Sequence, residues 1–257
     1  MPEFCKSERD GHVLIVTINR PERMNALHSP AHYELSQIFD DFENDPELWV
    51  AILTGAGERA FSAGNDLKWQ AEGGTRARPA TGFGGITFRF DRAKPLIAAV
   101  NGIAMGGGFE LALAADIIIA AENALFALPE PLVGLAALAG GLHRLPRQIP
   151  MKQAMGMILT GRRVPAKEGY QLGFVTEVVP EGQALTAAKR WAADILKCSP
   201  LSIRASLEVV REGMKHASVE AAINGEYYAV DAMRESEDFI EGPKAFAEKR
   251  KPVWKGR

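Results

Sequence analysis

Hydrophobic and polar positions along the chain follow two periods in turn. HVLIVTINR, from His12 to Arg20, is an apolar, β-branched run closed by Pro21, and WVAILTG, from Trp49 to Gly55, is a second. Runs of this length and composition predict buried strands. Between them the period lengthens, and Leu35, Ile38, Phe39 and Phe42 fall on one face of a helix with Ser29 as N-cap and Pro30 at the first helical position. Strand, helix, strand predicts an α/β arrangement with sequential strands side by side. AEGGTRARPATGFGGITF, from Ala71 to Phe88, has no apolar period and reads as a mobile loop over a site. After about Met151 the helical period takes over in segments such as ALTAAKRWAADILK and LSIRASLEVVREGMK, with FVTEVV (Phe174 to Val179) as the one strand-like interruption. The expected organisation is an α/β core followed by a helical appendage, without internal repeats.

Composition narrows the class. With 257 residues, 47% apolar and 24% charged, the chain is one large globular domain or one domain with an appendage, and neither a small stapled fold nor a disordered chain. Thirty Lys+Arg against 32 Asp+Glu leave a net charge of −2, so there is no global basic field of the kind that draws a protein to nucleic acid or an anionic membrane. Cys5 and Cys198 form neither a disulfide framework nor a CxxC motif and read as incidental thiols in a reducing compartment. MPEFCKSERDGH carries no apolar h-region. The most apolar stretch, Pro95 to Phe109, ends at Glu110 and falls short of the ~20 residues of a membrane span. The expected location is cytoplasmic, with no membrane and no nucleic-acid partner.

Two glycine-bearing segments follow apolar runs. Gly55 to Asp66 contains G-x-G-x-x-A after a strand, but Phe61-Ser62-Ala63-Gly64 stands where a dinucleotide fingerprint would open a helix, and no acid follows at the end of a second strand. In NGIAMGGGFELALAADIIIA (Asn101 to Ala120), Gly106, Gly107 and Gly108 lead into a helix through Leu113. Glycines let a backbone approach a ligand, and first-turn N–H groups lack intrahelical partners, so this turn is either an anion or oxyanion site or a tightly packed strand-to-helix connection.

Glu110 lies in that first turn, within a stretch from Pro95 to Leu142 that has no Lys or Arg and four acids. The helix dipole favours a carboxylate there by ~0.3–1 kcal/mol, whereas burying an unpaired charge costs several times that. Either the acid is functional or an arginine from elsewhere pairs with it. Glu130, between Pro129 and Pro131, has a backbone restricted on both sides that aims its side chain, the plain alternative being an exposed loop glutamate. Asp116 and Glu122 are weaker candidates, the former able to pair within its own run and the latter opening a turn. Ser62 has no histidine suggested as a partner, and His12, His28, His32, His143 and His216 form no compact ligand set; His28 and His32 are expected on an exposed helix start. No metal is implied.

FSAGNDLKW (Phe61 to Trp69) together with KPLIAAVNGIAMGGGFELALAADIIIA (Lys94 to Ala120) resembles the crotonase, or enoyl-CoA hydratase/isomerase, superfamily. The resemblance extends to NRPERMNAL (Asn19 to Leu27), FALPE, LTGRRVPAKEGYQLGFVTEVV and EGPKAFAEKRKPVWKGR, and so covers nearly the whole chain. It implies a ββα spiral with two roughly perpendicular sheets over residues 1–195 and a helical trimerisation region over 196–257, as a homotrimer or a dimer of trimers. It implies an acyl-CoA thioester as substrate, with coenzyme A part of that substrate and no cofactor. The thioester oxygen would lie between the N–H groups of Asn65 and Gly107, each such donor being worth about a hundred- to a thousandfold in rate. The two glutamates of the hydratases fall on Glu110 and Glu130. Arg23, Ala26, Leu27, Ala63, Asp66, Leu67, Lys68 and Lys249 fall where relatives contact the CoA portion. Arg250 is a further candidate, with Lys249 and Arg250 reaching in from a neighbouring subunit; the competing reading of these cations is a solvated surface.

The expected activity is enoyl-CoA hydration or the reverse dehydration. Alternatives are a carnitinyl-CoA dehydratase, since EDFIEGPKAFAEKRKPVWKGR resembles that branch, an enoyl-CoA isomerase, for which one glutamate suffices, and a non-catalytic acyl-CoA-binding protein. Two departures bear on the acyl pocket: Ala137 and Leu138 stand where many relatives have Pro and Gly, and Asn65 replaces a common alanine.

Overall fold

The two apolar runs near the start of the chain become neighbours: β2 (Val13–Ile18) pairs in parallel with β3 (Val50–Gly55). The computed structural model describes residues 3–257. β1 (Cys5–Asp10) forms a hairpin with β2, and β5 (Leu96–Val100), β7 (Ile117–Ala121) and β10 (Glu177–Val179) extend the parallel part, giving the six-stranded order β1-β2-β3-β5-β7-β10. β4 (Ala60–Ser62), β6 (Ile103–Met105), β8 (Leu125–Ala127) and β9 (Val164–Pro165) make a second, four-stranded sheet in that order. From β3 the chain crosses to β4 and then enters a helix, and it repeats this from β5 to β6 and from β7 to β8. Each circuit adds one strand to both sheets, which is the ββα spiral.

The helices are α1 (Ser29–Asn44), α2 (Leu67–Ala71), α3 (Gly107–Ala114), α4 (Gly141–Gln148), α5 (Met151–Thr160), α6 (Ala166–Leu172), α7 (Ala184–Ile195), α8 (Pro200–Gly213), α9 (Val219–Ile223), α10 (Tyr228–Arg234) and α11 (Glu237–Ala247). The inner strands β2, β3, β5 and β7 of the larger sheet are apolar on both faces because both faces are covered, whereas edge strand β1 is polar and exposed beyond Cys5. Leu14, Val16 and Leu53 meet Leu35, Phe39 and Phe42 of α1 on one side. On the other, Ile15, Ile52, Ile97 and Ile119 meet Ala184, Ala187, Ala188 and Ala192, whose small side chains bring α7 close to the sheet. Among the described residues no helix is long and apolar enough to cross a membrane.

Three local expectations are corrected. Ser29 is the first helical residue and His28 the N-cap; the Ser29 hydroxyl donates to the Thr75 carbonyl at 2.7 Å instead of capping α1. The expected mobile loop follows directly on α2 and is tied down in its second half, where Ser36 and Thr81 hydroxyls bond at 2.8 Å and Phe83, Ile86 and Thr87 are buried. His28 and His32 are not exposed, at 4% and 1% accessibility, because Phe4 and Trp69 pack on the first and Phe83 and Gly84 of that same segment on the second.

Candidate active site

The turn before α1 fixes one wall of the site. Asn25 adopts φ 54° and is buried. Its side-chain amide donates to Ala56 O and Ala60 O at 3.0 and 2.7 Å while its oxygen accepts from Arg20 N. The staple brings Leu27 beside Asn65 in a parallel bridge, with Leu27 N donating to Gly64 O and Asp66 N to Leu27 O. The bridge uses the amides on either side of Asn65 and leaves its own N–H without a protein acceptor among the described residues. Asp66 caps α2 through the Trp69 amide and pairs with buried Arg20 at 3.0 Å, so its carboxylate serves this turn and is held below the ordinary carboxylate range by those bonds despite burial.

The opposite wall is the start of α3, and the three glycines have separate reasons. Gly106 takes φ 54°, and a Cβ there would stand 2.8 Å from Glu130 Oε1. At Gly107 a Cβ would strike the Phe83 ring at 2.4 Å, and at Gly108 the Ser62 carbonyl oxygen at 2.0 Å. Gly64, at φ 87°, would place a Cβ 2.9 Å from Gly107 N, which measures how closely the Gly64–Asn65 turn approaches the helix start. The Gly107 N–H, like that of Asn65, has no protein acceptor among the described residues. The connection is both tightly packed and equipped with free donors, so the two readings of the glycine run are true together.

Glu110 points from the first turn of α3 into the core and is 3% exposed. Gly141 N, at the start of α4, donates to its Oε1 at 2.8 Å. Burial, reinforced by the charge of Glu130, pushes its carboxyl up to about 7 against the opposing pull of the Gly141 and Ala139 amides and of Arg78. No cation lies within ion-pair distance of it among the described residues, so the paired-arginine reading falls. Glu130 opens a 3-10 turn, Glu130–Val133, and is half-buried; its Oε2 is fully buried with no partner among the described residues, and burial raises its carboxyl too. The charge of Glu130 is thus one of the causes that raise Glu110, which places the two carboxyls within electrostatic reach of each other.

Of the remaining candidates, Ala26 and Leu27 are buried in the Asn25 turn, Ala63 donates its amide to Met24 O, and Arg23, Leu67 and Lys68 are exposed near it. Lys249 is exposed with φ 55° and engages no carboxylate, while Arg250 is occupied by Glu241 and Glu248. Asp116 pairs with Arg92 and, from α8, with Arg211, at 2.7 and 2.6 Å, and not within its own run. Glu122 is exposed in the turn after β7. Sequence reading missed Gly141, whose Gly140-Gly141 pair ahead of a helix was the available signal, and Arg78 and His32, for which spacing offered none.

A ββα spiral whose second sheet leads into a glycine-built helix start, with one buried and one half-buried carboxyl, neither ion-paired among the described residues, near main-chain amides free of protein acceptors, is a site able to hold an oxyanion and move protons beside it. The family profile described as Enoyl-CoA hydratase/isomerase matches residues 8–257, and the chain belongs to that family, within the crotonase superfamily. It is 45% identical over 264 residues to carnitinyl-CoA dehydratase of Escherichia coli K12, with all of both chains covered. Among solved structures, enoyl-CoA hydratase from Mycobacterium tuberculosis is 39% identical with both chains fully covered and a TM-score of 0.92. Carnitinyl-CoA hydratase from Mycobacterium avium is 41% identical, with 99% of each chain covered and a TM-score of 0.79.

Proposed function

We propose that the protein adds water across the double bond of a 2-enoyl-CoA, or removes it from the 3-hydroxy product, with Glu110 and Glu130 as the proton-handling pair and the Asn65 and Gly107 amides as the oxyanion hole. The observation that carries this is a buried and a half-buried carboxyl, neither in an ion pair among the described residues, beside two main-chain donors without protein acceptors. Water between the carboxyls gives one proton to a carboxylate as its oxygen bonds to the β-carbon. The α-carbon takes a proton from the pair, and the enolate oxygen that forms and collapses between these events is held by the two N–H groups. A raised protonation suits groups that must both take and give a proton near neutral pH. Family membership supports an acyl-CoA substrate, and the names of relatives support a carnitinyl-type acyl group as one form of it.

The CoA portion would pass the exposed cations Arg23 and Lys68, with Lys249 supplied by a neighbouring subunit. Residues 196–257 would build that assembly, a trimer or a pair of trimers. The test is loss of enoyl absorbance when the purified protein meets crotonyl-CoA. If saturating protein leaves crotonyl-CoA and longer 2-enoyl-CoAs unchanged, the hydratase assignment fails.

A further inference from the structure

Buried His32 and exposed Arg78 line one narrow crevice beside Asn65, together with His28 and Trp69. On α1, His32 Nδ1 accepts from Gly84 N at 3.0 Å. A neutral imidazole that accepts at Nδ1 must carry its proton on Nε2, and Nε2 is a buried donor without a partner among the described residues. Burial, helped by the charge of Arg78, pushes the ring down to about 3, so it is neutral at working pH. Arg78 lies with its guanidinium over the Phe83 ring at 5.2 Å and has no carboxylate within ion-pair distance among the described residues. Phe83 packs edge-on to His32 at 4.5 Å, and its rim faces Gly107. The wall Arg78–Phe83–His32 therefore begins at the helix start that would hold the thioester and leads away from it, carrying one cation, whose nearest influential carboxyl is Glu110 at the reacting end, and one donor with no partner among the described residues.

We propose that this wall is the far end of the acyl pocket and selects acyl groups that end in an anionic oxygen, a carboxylate above all, received by the His32 Nε2–H and the Arg78 guanidinium. The inference rests on the thioester reading above. It turns away from a quaternary ammonium such as the carnitinyl group carries, because that cation would approach Arg78 with like charge and could accept nothing from His32.

Three saturated CoA thioesters that cannot react test it by calorimetry: glutaryl-CoA, butyryl-CoA and 4-trimethylammoniobutyryl-CoA, which share the four-carbon chain and end in a carboxylate, a methyl group and a quaternary ammonium. Glutaryl-CoA is expected to bind about tenfold or more tighter than butyryl-CoA, and the cationic thioester weakest. Arg78→Gln should bring the glutaryl-to-butyryl ratio near one, and His32→Phe, which keeps the ring packing, should lower it; a ratio within one variant is insensitive to partial unfolding. Equal or tighter binding of the cationic thioester, or an unchanged ratio in Arg78→Gln, overturns the proposal. Crotonyl-CoA hydration is read in parallel: its absence with the glutaryl preference intact strikes only the catalytic roles, and absence of any thioester binding removes both.

Discussion

A carboxyl with no counter-ion, buried in a stretch without a single Lys or Arg, is the most informative residue of this chain. Glu110 could be singled out from its surroundings in sequence because lone acids are rarely buried without purpose. Its partner amide on Gly141 and its neighbour Glu130 belong to other circuits of the spiral, so their proximity was not readable. Glu110→Gln and Glu130→Gln should each cut crotonyl-CoA turnover by about 10²–10⁴ while butyryl-CoA still binds, measured by steady-state kinetics and calorimetry. Glu110 also has a stability signature. Its carboxyl titrates near 7 when folded against an ordinary 4.5, so between those values the folded chain binds more protons and its stability falls as pH rises. Glu110→Gln, which keeps an acceptor for Gly141 N, should therefore be more stable than the parent by about 1–3 kcal/mol at pH about 8, with the gain shrinking toward pH about 4.5. Urea melts at the two pH values decide it. His28 and His32 were misread because an i, i+4 spacing places them on one face and says nothing of what covers it.

At the scale of elements, the start of α3 shows how local sequence and distant packing divide the work. Three glycines before an apolar helix announced a close approach, but the partners that demand it, the Glu130 carboxyl, the Phe83 ring and the Ser62 carbonyl, come from three separate segments. Gly108→Ala would set a methyl 2.0 Å from a backbone oxygen that cannot swing aside. It should destabilise the fold by about 1–3 kcal/mol or more and displace the Gly107 amide, abolishing turnover. Gly156→Ala, within α5 and with nothing inside 4 Å of the new methyl, should instead gain about 0.5–1 kcal/mol. Denaturant melts of the two variants, one loss and one gain, separate clearance from backbone entropy. α1 and the paired runs β2 and β3 were legible because each carries its own period; β9, two residues long, was not, since no period fits in two residues.

The whole molecule leaves an apolar face uncovered. Met214, Val219, Ile223 and Tyr228, on and between α8, α9 and α10, are 73 to 79% exposed, far more apolar surface than an isolated chain ordinarily leaves to water. Arg211 binds Asp116 and the Arg92 carbonyl and so anchors α8 to the core, while Asp238 accepts from Ser199, Lys255 and Gly256 and ties the region's two ends together. The chain is predicted to sediment as a multiple of its own mass, and Ile223→Arg to lower that multiple. A wild-type chain that sediments as a monomer at micromolar concentration would remove the assembly and, with it, the reach of Lys249 into a neighbouring site.

Periodicity alone determined the strands and helices with long apolar faces, because a face that must be buried repeats at the spacing of its own backbone. Composition determined that an acid stood in an uncharged core, and motif resemblance determined the family. Which acids, amides and cations share one volume was decided by the spiral itself, since each circuit returns residues some twenty to eighty positions apart to the same place. The neutral tautomer of His32, the freedom of the Asn65 and Gly107 amides and the lone guanidinium of Arg78 are properties of those encounters. They are set by desolvation and by hydrogen bonds to groups far away along the chain, and no local stretch of residues encodes them.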